Sequence, residues 1–217
     1  MIILSSTFFP AVGRGENGSG FIPSDSSFDD KILLNGYIKK FQNATKENLL
    51  AAVADESVSP YRAAAAVFVL TQDYLSEVVT GEKNLIERLL LRRLNHTESA
   101  FVEVELMNAL VVLDRYKYFK VMVPALIKKL DHYNQAVGDY AFEHLTSITE
   151  SGTNKAREAR IVLNTLRKIF FLMRNRLPQV KEPSPKLKQK LSLLRWAIKV
   201  LGMQTLDQLP PEVVRLL

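Results

Sequence analysis

From Lys31 to Leu201 the apolar residues of this chain recur at helical spacing, and no stretch sustains the alternation that a strand requires. Glycine, the residue of tight strand turns, occurs once between Gly36 and Gly138, at Gly81. Pro60, Pro124, Pro178, Pro183, Pro185, Pro210 and Pro211 fall where helices would start or break. A chain spaced in this way buries its apolar faces by packing helix on helix, so the expected class is all-α. At 217 residues and 47% hydrophobic content it has ample material for a core.

Within the helical stretch a longer period emerges. Tyr61 to Ala65 leads on to Val69 and Leu70, Val102 to Leu106 leads on to Ala109 and Leu110, and Val137 to Ala141 leads on to His144 and Leu145. The three starting positions, 61, 102 and 137, are 41 and 35 residues apart. Periods near 40 with two helices per unit belong to stacked helical repeats, whose units bury their faces against neighbours.

On these residues the chain resembles the HEAT-repeat family. The first unit carries the resemblance best, with Leu49, Leu50, Val53, Asp55, Pro60, Arg62, Ala63 to Ala66 and Leu70. The third matches in part through Leu126, Leu130, Asp131, Val137, Ala141 and Leu145, with Gly138 at the family's arginine position. The second departs from it, with Glu103 at that position and Leu106 where a small residue is usual. The resemblance covers residues 31–150 and implies a right-handed α-solenoid of four to five helical pairs. Arg62 and Glu103 share a register in neighbouring units, so an inter-repeat ion pair or ladder is expected there. Glu103 and Glu105 fall on different faces of one helix.

Residues 151–217 keep the helices and lose the repeat. Lys155 to Leu177 is expected as one long helix, capped by Thr153 or Asn154 and closed by Pro178. Its apolar arc takes in Ile161, Val162, Leu163, Leu166, Ile169, Phe170, Leu172, Met173 and Leu177. A second helix, from about Lys186 to Leu201, carries Leu187, Leu191, Leu194, Ile198 and Leu201 on one face and Leu193, Trp196 and Val200 on another. Thr205 to Leu217 is expected to cap the stack.

This last third also holds the charge. Residues 155–199 contain thirteen Lys and Arg against two acids, Glu158 and Glu182, whereas residues 1–154 carry a net −4. So local an excess marks a surface for an acidic partner. The expected contact residues are Arg157, Arg160, Arg167, Lys168, Phe171 and Arg174 on the first helix, and Lys188, Arg195 and Lys199 on the second. Arginine suits bidentate contact with phosphate or carboxylate, and Phe171 could stack, insert or pack. An acidic protein surface ranks first among the partners, nucleic acid second and an anionic membrane surface third.

Other chemistry finds little support. With no cysteine there is no disulfide, thiolate metal site or cysteine nucleophile. His96, His132 and His144 lack metal-ligand spacing, and His144 is expected to be a semi-buried structural residue. Gly13 to Gly18 spells G-x-G-x-x-G, but Ser-Gly-Phe-Ile-Pro follows, where nucleotide binding needs a helix. Some HEAT-like proteins are DNA glycosylases with an acidic residue among tryptophans. Here the single tryptophan, Trp196, sits on a packing face, and Asp114 and Asp139 lack such surroundings. No run of residues is long and apolar enough for a membrane span.

Residues 1–30 read as a flexible arm rich in Gly, Ser, Asp and Asn. Ile2 to Val12 is apolar and Ala11-Val12-Gly13 has the look of a signal-peptidase site, but Ser5, Ser6 and Thr7 interrupt it and no basic segment precedes it. A cytoplasmic location is expected, with export as the alternative. The expected function is that of a non-catalytic, cofactor-free interaction or scaffold protein, with nucleic-acid binding as the alternative.

Overall fold

The structure, a computed structural model, describes residues 31–152 and 154–217. The arm expected over 1–30, its Gly13–Gly18 motif and Thr153 as a cap lie outside the described residues. Ten α-helices occur among those residues and no strand: α1 (Lys31–Phe41), α2 (Lys46–Ala54), α3 (Pro60–Asp73), α4 (Thr80–His96), α5 (Ala100–Leu113), α6 (Arg115–Lys129), α7 (Gln135–Glu150), α8 (Lys155–Met173), α9 (Pro185–Leu201) and α10 (Pro211–Val214). Short 3-10 turns lie at Leu75–Glu77, Leu177–Gln179 and Met203–Gln208.

Helix starts follow local chemistry. Thr45, Ser59, Asp114, Asn134, Asn154 and Ser184 each accept a hydrogen bond from a backbone N–H in the first turn of α2, α3, α6, α7, α8 and α9. Pro60 and Pro185 open α3 and α9, where a missing N–H removes nothing. Gly202, with φ +99°, ends α9, and a Cβ there would stand 2.3 Å from the Gln204 side-chain oxygen.

Two boundaries differ from the sequence expectation. Pro124 lies inside α6 and does not break it. The helix expected to reach Leu177 stops at Met173, because Pro178 has no N–H to give the Arg174 carbonyl and the chain tightens instead through Arg176 N–H to the Met173 carbonyl at 2.8 Å.

The helices pack in two rows. In one row α3 lies between α1 and α5, and α5 continues to α7. In the other, α2 meets α4, α6 meets α8, and side-chain contacts join α4 to α6. Consecutive helices α2/α3, α4/α5, α6/α7 and α8/α9 cross-link the rows. The middle helix α5 (AFVEVELMNALVVL) is apolar all round and correspondingly buried, with only Glu103 and Val112 reaching solvent. Leu106, unusual for the repeat motif, is wholly buried there. The core runs without a break from Leu34 to Val213, so residues after 150 share it.

On α8 the core-facing arc is Ala159, Val162, Leu163, Leu166 and Phe170, narrower than the wheel implied. Leu172, expected inside, is 87% exposed because at about 100° per residue it stands roughly opposite Leu163 and Phe170.

Candidate functional site

Charge divides by row. Helices α4, α6 and α8 together hold fourteen Lys and Arg and three acids, a net +11. Helices α1, α3, α5 and α7 hold four bases and six acids, a net −2. Much of the positive charge thus sits on α4 and α6, in the part of the chain whose overall balance is acidic. Helix α6 alone carries five bases and no acid.

All three acids of the basic row are neutralised by neighbours. Glu82 accepts from Lys46 at 2.6 Å. Glu87 takes Lys117 and the Tyr118 hydroxyl across the α4/α6 seam, and these contacts, that of Lys117 foremost, hold its carboxyl below the usual range. Glu158, only 3% exposed, forms a two-pronged bridge with Arg115: Nε to Oε1 at 2.6 Å and a terminal nitrogen to Oε2 at 2.8 Å. The same guanidinium donates to the Ile148 carbonyl, so one side chain pins α6, α7 and α8. Gly152 leaves the space for it. A Cβ there would come within 2.2 Å of Glu158 Oε2 and 3.0 Å of the Arg115 nitrogen.

The remaining bases of the row behave differently. Among the described residues the buried Arg93 and the more exposed Arg88, Lys120, Lys128, Lys155, Arg157, Arg160, Arg167 and Lys168 form no ion pair with a carboxylate. Arg157 lies over the Tyr116 ring, 4.3 Å from its centre, and donates to the Tyr116 carbonyl at 3.2 Å. Arg167 donates to the Gln208 side chain at 3.3 Å. Arg160, Lys168 and Phe171 share the exposed face of α8, with Arg157 and Arg167 half-buried along it.

The other expected contact residues are distributed elsewhere. Arg174 lies past the end of α8, exposed. Lys188, Arg195 and Lys199 are exposed along α9. Arg195 is turned toward the carbonyls of Leu216 and Leu217, at 3.1 and 3.3 Å, and with Lys199 it borders an apolar cavity of about 450 Å³ lined by Ile198, Met203, Leu206, Val214 and Leu217. Two of the thirteen bases counted over 155–199 face inward. Lys190 is 1% exposed and reaches Asp131, and Lys186 donates to the His132 carbonyl.

The ion pair expected between Arg62 and Glu103 does not form. Glu103 instead takes Lys129 at the end of α6, because α6 rather than the neighbouring repeat helix lies along that side of α5. Glu103 and Glu105 do point apart, and Glu105 is fully buried. One Glu105 oxygen accepts from the Tyr140 hydroxyl and lies 2.9 Å from His144 Nε2, while the other has no hydrogen-bond partner. Burial pulls the His144 pKa down, but the charge and hydrogen bond of Glu105 outweigh it and leave the imidazole above its ordinary value. Burial, aided by Glu105, pushes the Tyr140 phenol well up. Asp114 caps α6 and pairs with Lys83, and Asp139 accepts from Gln135 and Gln189, so both are occupied within the fold.

Among the described residues no three His, Asp or Glu side chains gather to hold a metal ion, and no helix is long and apolar enough to cross a membrane. The chain matches no protein-family model, no curated protein and no solved structure.

Proposed function

We propose that this protein acts by binding rather than catalysis, as a HEAT-like stack of helical hairpins that docks an anionic partner on the row α4, α6 and α8. The side-by-side packing of alternate helices supports the stack. One observation carries the function: every carboxylate of this row is neutralised in place, while nine of its bases, all but Arg93 reaching solvent, are left without one. A surface selected only for solubility would intersperse the two signs. Here the field is of one sign across neighbouring helices, which attracts and orients an anionic surface.

Retention on immobilised polyglutamate across a salt series tests this reading. The full chain is expected to bind at low salt and elute as salt rises, because the contact is electrostatic. The variant Lys120→Glu/Arg160→Glu/Lys168→Glu, altered only at exposed positions, should pass unretained with its melting temperature unchanged. Equal retention of the two proteins would overturn the proposal.

A further inference from the structure

The basic row is not only charged. Among the described residues, Leu85 on α4, Tyr116 and Val121 on α6, and Phe171 and Leu172 on α8 are exposed large apolar side chains, at 65%, 78%, 55%, 44% and 87%. Each has an unpaired base close by on the same helix: Arg88 beside Leu85, Lys120 beside both Tyr116 and Val121, and Lys168 beside both Phe171 and Leu172, while Lys117, also near Val121, is held by Glu87. Apolar side chains flanked by long cationic ones, with no unneutralised acid between them, match the boundary between lipid headgroups and acyl chains. The apolar groups enter the boundary while Lys and Arg extend to the phosphates.

We propose that the partner of this row is an anionic lipid surface, on which α4, α6 and α8 lie with Val121, Phe171 and Leu172 inserted. This rests on the reading of the row as an anion-docking surface and names its partner. Nucleic acid would use the same charge, but Leu85, Val121 and Leu172 offer nothing to a phosphate or a base edge. Tyr116, the most exposed aromatic, already has Arg157 over one face of its ring, where a stacked base would otherwise sit. Charge complementarity with a lipid surface and the placement of the apolar groups therefore point the same way.

The test is flotation of the full chain with phosphatidylcholine vesicles, with and without phosphatidylserine, beside a binding titration with a short DNA duplex. Binding is expected only to the phosphatidylserine vesicles. It should weaken about tenfold or more in Val121→Ser/Phe171→Ser/Leu172→Ser, as expected for losing buried apolar contacts, and should be lost in Lys120→Glu/Arg160→Glu/Lys168→Glu. Circular dichroism of both variants checks that they fold. Vesicle binding indifferent to the serine changes overturns the insertion. Binding to DNA or polyglutamate without vesicle binding overturns the lipid assignment and leaves the anion-docking reading standing. Failure with every anionic probe at low salt overturns both.

Discussion

The two rows of this molecule handle charge in opposite ways. In α5 and α7 one acid is drawn inward: Glu105 is fully buried with Tyr140 and His144, while the half-exposed Glu103 reaches across to Lys129. In α4, α6 and α8 the acids are the groups taken out of play, and most bases stay in water. The first arrangement fixes which helices touch, since a buried polar group tolerates few partners. The second contributes little to stability, because exposed charges in water interact weakly, and it leaves a surface free for something else. Neutralised acids thus say as much about a surface as its bases do.

Breaking the Arg115 bridge has the largest expected effect, because it strands a buried acid inside the basic row. Arg115→Ala should cost about 3–5 kcal/mol, a fall in melting temperature of roughly 10 °C for a chain of this size. A loss under about 1 kcal/mol would mean that the bridge does not hold the row together. Gly152→Ala strikes the same bridge from outside, forcing the Glu158 carboxylate away from a Cβ. About 1–3 kcal/mol is expected, measured by urea unfolding. Recovery in the double variant Gly152→Ala/Glu158→Ala would trace the cost to that contact.

The smallest effect sharpens the other row. Because Glu105 holds the His144 pKa above its unfolded value, protonation favours the folded state. That contribution is fully present below about pH 6.5 and is lost as pH rises through the raised folded-state pKa. Relative to His144→Gln, the wild-type melting temperature should therefore fall from mildly acidic to alkaline pH. A constant difference across that range would show that His144 does not titrate against Glu105.

Much of the fold was legible because it rests on local chemistry. Asn154 announces α8 by capping it, Pro60 and Pro185 mark the starts of α3 and α9, and the apolar spacing of α3, α7 and α9 names the residues that became core. The exposure of Arg160, Lys168 and Phe171 on α8 was legible for the same reason, since a helix of known start has a known exposed side. Pairing between helices was not. Lys190 counts as a surface base until Asp131 is brought beside it, and Glu103 is matched with Arg62 until α6 is seen along α5. The share of α6 in the candidate site was hidden by summation: five bases on one helix vanish in a segment whose total is negative. A charge count helix by helix would have found them. The exposed apolar groups needed only a stricter wheel: Leu172, expected in the core, stands roughly opposite Leu163 and Phe170 at about 100° per residue, away from the buried arc.

The opposed signs of the two rows have a consequence for motion as well as for contact. A net +11 on α4, α6 and α8 against −2 on α1, α3, α5 and α7 spreads the charge unevenly between the two rows. In a field that reaches about 8–10 Å at physiological salt, such a body is turned before it touches. Of all the collisions it makes with a negatively charged surface, an excess arrive with α4, α6 and α8 already in front. The orientation of capture is written into the charge separation, ahead of any single contact.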